Sequence, residues 1–209
     1  MSTARQPPST LPSEPASGLP SDLARRLEPV DAPLVQPPDL RHAAVVAILL
    51  PGDEQRLVLI ERAGNLRAHA GQLAFPGGKP EREDRDLVAT ALREAEEEVG
   101  LPRGEVDVLG RLGPVPTPTG YLIVPYVAWA PRGWVPRGAD DEVHAVLTPS
   151  IAELLDPSIH SITGRGVWRG YHYEMHEFAI HTPPLWGATA RMVWDLLERI
   201  RGGEPTTPR

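Results

Sequence analysis

The chain has 209 residues, enough for one well-buried domain and too few for two full ones. It contains no cysteine, which excludes disulfides, thiolate zinc sites and thiol catalysis. Its net charge of −7 comes with no Lys/Arg cluster longer than a pair, which argues against a nucleic-acid groove built to neutralise phosphates. No apolar run approaches the roughly 20 residues that span a bilayer, and no signal-peptide core follows Met1. The expectation is a cytoplasmic protein whose partner is a small molecule, not a nucleic acid or a membrane; the oligomeric state is left open.

Nine of the 25 prolines lie before position 40, so residues 1–37 read as a proline-rich extension, partly mobile. Within it, Ser21–Leu27 has the makings of one short capped helix. The main domain is expected over residues 38–203, with a C-terminal tail at 204–209. Ala43–Leu50 is a continuous apolar run of strand length, Pro51-Gly52-Asp53 turns, and Leu57–Ile60 reads as a neighbouring buried strand. Farther on, Val106–Leu109 and Tyr121–Ala130 are predicted strands, the second interrupted by Pro125. Pro149–Leu155 is a predicted short helix. Gly166–Ile180 holds one or two strands, and Trp186–Arg201 closes the domain as an amphipathic helix. Strands mixed with a few helices, without a regular βαβ repeat, predict an α+β fold: a mixed sheet between helical layers, an α/β/α sandwich.

The densest chemistry lies in Arg93-Glu94-Ala95-Glu96-Glu97-Glu98-Val99-Gly100-Leu101, just after the turn Phe75-Pro76-Gly77-Gly78. Helix formers fill the stretch, and Gly100 then Pro102 stop it. At about 100° per residue, Leu87, Val88, Ala91, Leu92, Ala95 and Val99 form one apolar arc. Glu94 and Glu98 fall at its edge, Glu97 just beyond Glu94, and Glu96 points away. Two carboxylates about 6 Å apart repel by roughly 3 kcal/mol at an effective dielectric near 20, and surface screening reduces that to a few tenths. Beside a core, where screening is poorer, such a group calls for a cation. Oxygen-only donors favour Mg²⁺ or Mn²⁺. A solvated acidic face accounts for Glu96 but not for carboxylates at the margin of the buried arc.

Gly77-Gly78 followed by Arg93-Glu94-Ala95-x-Glu97-Glu98-x-Gly100-Leu101 resembles the Nudix box, the signature of hydrolases that split nucleoside diphosphates linked to another group. The second half of the box fits at every specified position. In the first half Asp84 stands where a Glu is expected, and eight residues rather than seven separate it from Arg93. Its partnership with Arg93 is therefore open, with Glu81, Glu83 and Asp86 as alternatives. The preceding Arg62-Ala63-x3-Arg67-x3-Gly71-x3-Phe75-Pro76-Gly77-Gly78 resembles the segment that marks the coenzyme A pyrophosphatase branch, with Ile60 where that segment has Thr. Trp186-Gly187-Ala188-Thr189-Ala190-Arg191 is similar to the same branch.

The resemblance implies hydrolysis of coenzyme A or its derivatives to 3′,5′-ADP and 4′-phosphopantetheine, with Mg²⁺ or Mn²⁺ as cofactor. It implies that Glu94 and Glu98 bind metal, with Glu97 completing the cluster or orienting the water. Glu97 and Glu98 are thus catalytic candidates, and Glu142 is the candidate for a loop base; the other reading of Glu142 is an exposed turn before a strand. Arg62 and Arg67 are expected to meet substrate phosphate, although Arg62 suits a strand-end ion pair equally well. Gly77 and Gly78 are expected to let the backbone approach the substrate, and Arg93 to tether the glycine turn to the helix. An ADP-ribose or dinucleotide pyrophosphatase is the alternative enzyme, and a binding module without catalysis the alternative class. His172-x-Glu174-x-His176 reads as an exposed strand face rather than a metal site. Gly77-Gly78-Lys79 lacks the earlier Gly and the following Ser/Thr of a P-loop, and no Gly-x-Ser-x-Gly elbow is present.

Overall fold

A computed structural model describes residues 19–34, 39–64, 71–139 and 141–202. In chain order its elements are α1 (Leu19–Ala24), β1 (Arg41–Leu50), β2 (Arg56–Leu57), β3 (Leu59–Arg62), β4 (Leu73–Ala74), β5 (Gly77–Gly78) and α2 (Leu87–Val99). There follow β6 (Asp107–Arg111), β7 (Val115–Pro116), β8 (Tyr121–Trp129), β9 (Val143–Leu147), α3 (Ile151–Leu154), β10 (His160–Trp168), β11 (Tyr171–Phe178), β12 (Leu185–Trp186) and α4 (Gly187–Arg201).

The apolar run at Ala43–Leu50 becomes the middle of the molecule. β1 pairs in parallel with β8 over nine residues, from Arg41↔Tyr121 to Leu49↔Trp129. A parallel pair needs a long crossover, and α2 with β6 and β7 supplies it. Because side chains alternate, Ala44, Val46 and Ile48 of β1 and Val124, Tyr126 and Ala128 of β8 face Ala91, Ala95 and Val99 of α2. The opposite face sends Ala47, Leu49 and Val127 into a second core with Leu23, Leu154, Val193 and Leu196 from α1, α3 and α4. A mixed sheet between two helical layers results, as the pattern of elements predicts.

Two strand expectations change. The predicted Leu57–Ile60 strand divides at Val58: β2 pairs with β1, whereas β3 leaves that sheet to pair with β4 and β9. Pro125 does not interrupt β8. Its carbonyl accepts the Leu112 N–H at 2.9 Å, so its missing N–H faces the short gap between β6 and β7, where no ladder bond is required.

Part of the segment before residue 38 packs on the domain. Leu23 is fully buried, Leu27 nearly so, and the main chain of Glu28 exchanges both hydrogen bonds with Arg111 at 3.0 and 2.9 Å. Burying Leu23 is worth about 1.5–3 kcal/mol. Arg111, itself 2% exposed, meets Glu28 Oε2 at 2.6 Å.

β10 and β11 form a hairpin against α4. His176 is only 6% exposed there, because α4 covers its face of the strand. Its Nδ1 lies 3.0 Å from His160 Nε2, and both rings stack on Trp194 with centroids 5.0 and 4.3 Å away. The expectation of an exposed face fails at this residue. Burial, followed by the proximity of His160, depresses the His176 pKa to about 4. None of the helices described is long and apolar enough to cross a membrane.

Candidate active site

The glutamate helix α2 starts and stops as its sequence requires. Asp86 has extended backbone and its side chain accepts the Ala89 N–H at 2.7 Å, a capping bond worth about 1 kcal/mol. At the other end Gly100 adopts φ 68°, and its N–H returns to the carbonyls of Ala95 and Glu96. The remaining carbonyls near this end are taken by the loop at 131–139: Trp134 Nε1 donates to Gly100 O, Arg137 N to Val99 O and Ala139 N to Glu98 O. That loop leads to Glu142, so satisfying the helix end also fixes where Glu142 enters.

Ala91, Ala95 and Val99 form the buried stripe of α2, and their small size lets the helix lie close to β1. Glu98 stands beside that stripe, 3% exposed. Its Oε2 accepts the Gly77 N–H at 2.9 Å, and its Oε1 lies 3.8 Å from Arg62 Nη1. Arg62 Nη2 also reaches Glu142 Oε2 at 3.2 Å. Thus Arg62, Glu98, Glu142 and Gly77 come together from β3, α2, the turn just before β9, and β5. For Arg62 the strand-end ion pair is present, and it joins two of the predicted catalytic carboxylates.

Both glycines are dictated by close approach. A Cβ on Gly77, whose φ is 151°, would collide with the Ala44 carbonyl and the Val45 backbone of β1. A Cβ on Gly78 would fall inside the carboxylate of Glu94. The turn therefore lies flush between the central strand and the acidic helix.

One turn before Glu98, the guanidinium of Arg93 organises the rest. It donates to Glu94 Oε1 and Glu97 Oε2, each at 3.0 Å, and to the Lys79 carbonyl at 3.2 Å. Its Nε and Nη2 grip the two oxygens of Asp84 at 3.1 and 3.2 Å. The open question of Arg93's partner is thereby answered: Asp84 serves despite the extra residue, while Asp86 caps the helix and Glu81 stays 3.8 Å away. Thr90 completes this knot. It is fully buried and its Oγ1 donates to Asp84 Oδ2 at 3.0 Å. Sequence reasoning passed over Thr90; a hydroxyl one position before Ala91 on the predicted buried arc was the available signal. Glu96 points away and pairs with Arg103 at 2.9 Å. Arg67 lies outside the described residues.

Charge and burial oppose each other at this site. The Arg93 guanidinium holds the Asp84 carboxyl at about 2, well below its ordinary 3.8. Burial pushes the Glu94 carboxyl up, against the pull of Arg93. Since Asp84 has the lower pKa when folded, its contribution to stability is complete above about pH 4 and is lost as pH falls from 3.8 toward 2. Chemical denaturation of the wild type and Asp84→Asn between pH 2 and 6 should show a midpoint gap at pH 6 that closes near pH 2. A gap independent of pH would remove the ion pair as its cause.

Glu94, Glu97 and Glu98 present hard oxygen donors beside a backbone that carries no Cβ, a donor set suited to Mg²⁺ or Mn²⁺. As placed, Arg93 and Arg62 engage these carboxylates, and no three acidic or histidine side chains among the described residues are grouped closely enough to enclose an ion.

Together the curled mixed sheet, the glycine turn and the glutamate helix define a Nudix fold. The NUDIX domain family matches residues 40–163, and the chain belongs to that family of pyrophosphate-bond hydrolases. Among curated proteins it is 35% identical over 161 residues to the "Uncharacterized Nudix hydrolase NudL" of Photorhabdus laumondii, covering 77% of this chain and 86% of that one. It is 37% identical over 161 residues to the protein of the same name from Yersinia pestis, covering 77% and 80%. Among solved structures, the M. smegmatis Nudix hydrolase RenU superposes with a TM-score of 0.52 at 16% identity, covering 81% of this chain and 90% of that one, a likeness of fold.

Proposed function

We propose that the protein hydrolyses the pyrophosphate bond of coenzyme A or a derivative, releasing 3′,5′-ADP and 4′-phosphopantetheine by attack of water. The observation that carries this reading is the position of Arg62. Arg62 opens the segment that resembles the coenzyme A branch, and its guanidinium lies between Glu98 and Glu142. The base of that segment is closed by Gly71 N donating to Arg62 O at 2.8 Å and Arg62 N to Gln72 O at 3.0 Å. The described main chain on the two sides of this segment is therefore paired at Arg62, whose side chain reaches Glu98 of the acidic helix.

In this reading Glu94, Glu97 and Glu98 hold a divalent cation, which when bound neutralises the diphosphate and acidifies a water. Glu97, 53% exposed at its side chain and bonded to Arg93, would be the most accessible of the three donors. Gly77 N–H fixes the Glu98 carboxylate, so that group needs no reorganisation during reaction. Glu97 is the first choice to orient and deprotonate the water, and Glu142 the second. Arg62 and Arg67 meet the anionic oxygens of the substrate through planar, bidentate geometry. Gly77 and Gly78 seat the turn against β1 and Glu94, which brings its main chain to the edge of the acidic helix where the diphosphate would bind.

A parallel product assay with coenzyme A, ADP-ribose and dinucleoside polyphosphates under Mg²⁺ and under Mn²⁺ tests the substrate. Preference for coenzyme A by about tenfold or more in kcat/KM is the expected result, equivalent to about 1.4 kcal/mol of transition-state discrimination. Preference for ADP-ribose would overturn the choice of substrate and leave the site chemistry standing.

A further inference from the structure

One cavity lies apart from the proposed active site. It measures about 380 Å³ and opens between the β10–β11 hairpin, α4 and the loop joining β6 to β7. Glu94, Glu97, Glu98, Arg62 and Glu142 take no part in its lining. It borders α4, which packs on the sheet face opposite α2. Its volume is in the range of small-molecule sites, about 300–1,000 Å³.

Three features of its walls specify chemistry. First, Tyr173, His176 and Trp194 give it aromatic sides. The Tyr173 ring lies directly over Gly166, where any Cβ would collide with it, so this strand position is kept bare for the ring. Second, the wall is braced: His176 and His160 stack on Trp194, and His176 is 6% exposed.

Third, the charges are unequally committed. Asp195 is taken by Arg199 at 3.2 Å, and Glu174 by Arg165 at 2.9 Å. Arg191 lines the same cavity, is partly buried, and has no hydrogen bond or ion pair among the described residues. Burial also depresses its pKa, against the opposing pull of Asp195 and Tyr173. A guanidinium in a recess whose acidic neighbours are occupied is matched by a phosphate or carboxylate, which it grips bidentately. The aromatic walls are matched by a flat ring.

We infer that this cavity is a second binding site, for a small anion borne on a flat ring, with Arg191 as its anion contact and Tyr173 as its ring contact. The inference goes beyond the coenzyme A reading and does not rest on it. A nucleoside monophosphate and an aromatic carboxylate share this chemistry, and the experiment separates them.

The full-length protein is titrated calorimetrically, in EDTA, with adenosine 5′-monophosphate and with benzoate; adenosine and inorganic phosphate serve as half-ligands. At least one of the two whole ligands should saturate a single site, and each half-ligand should bind about tenfold more weakly or worse. The ligand that saturates identifies the head group. Arg191→Ala and His172→Glu, the latter an exposed cavity position where a negative charge repels an anion, should each weaken binding about tenfold or more. Arg62→Ala should leave it unchanged, which separates this cavity from the proposed active site. If Arg191→Ala fails to fold, His172→Glu decides. The inference is overturned if neither ligand binds, if adenosine binds as tightly as its monophosphate, if folded variants retain full affinity, or if Arg62→Ala abolishes binding.

Discussion

Replacing Glu98 by Gln is expected to lower turnover about a thousandfold while leaving the fold in place. The reason lies in what the amide keeps and loses. A Gln carbonyl still accepts the Gly77 N–H, so the bond at 2.9 Å that seats the glycine turn survives. The negative charge is lost, and with it the attraction to Arg62 and the capacity to hold a divalent cation as a hard anionic donor. Glu98 is 3% exposed, so water cannot replace that charge. Steady-state hydrolysis, Mn²⁺ titration and circular dichroism together check the result: rate and metal affinity should fall while the spectrum and thermal midpoint stay close to wild type. A folded variant with a normal rate would remove Glu98 from the chemistry, and with it the proposed centre.

Arg93→Met should have the largest effect on stability, about 3 kcal/mol or more, because it breaks a network while roughly keeping the side-chain stem. The arginine joins Asp84, Glu94, Glu97 and the Lys79 carbonyl. Without it Asp84, whose side chain is 6% exposed, retains among the described residues the Thr90 hydroxyl and the Glu81 N–H. Asp84 and Glu94, 6% and 20% exposed at their side chains, would then lose the cation that lies between them. Denaturant unfolding should show the loss at pH 7 and less of it near pH 2, where about half of Asp84 is protonated in the folded protein. Added Mg²⁺ or Mn²⁺ should restore part of the stability, since a bound cation compensates the same carboxylates. An Arg93→Met protein as stable as wild type would show that Asp84 is satisfied by its other partners.

The two substitutions separate roles that one helix combines. Glu98 and Arg93 are five residues apart on α2, yet one faces Gly77 and Arg62 while the other reaches back to the loop at Lys79–Asp84. Loss of Glu98 is expected to act on rate with the fold retained. Loss of Arg93 is expected to act first on the fold, and on rate only through displaced carboxylates.

Much of this was legible in one dimension because it depends on local physics. The stop of α2 follows from Gly100, its buried stripe from the spacing of Ala91, Ala95 and Val99, and the central strand from the unbroken apolar run before Pro51, whereas its start at the Asp86 cap was not read from the sequence. The layered fold follows from the same patterning, since an apolar run buried on both faces demands a helical layer on each side. Gly77 and Gly78 could be singled out as close-approach positions; the expected neighbour was the substrate, whereas the fold sets them against β1 and Glu94.

The placement of Glu142 was not legible. It comes beside Arg62 because the loop at 131–139 satisfies the carbonyls at the end of α2, a requirement that only exists once the helix has docked. The choice of Asp84 over Glu81, Glu83 and Asp86 as the partner of Arg93 was equally out of reach. It depends on how the Lys79–Asp84 loop folds back over the helix and on a buried Thr90 hydroxyl. The split of the second predicted strand at Val58 and the continuity of β8 through Pro125 belong to the same class, since both depend on which neighbours offer hydrogen bonds. By itself, then, the order of residues determined the elements, the layered architecture and the acidic helix, because periodicity and capping act within a few residues. Tertiary structure decided which charges meet, because an ion pair between distant segments depends on where whole elements come to rest.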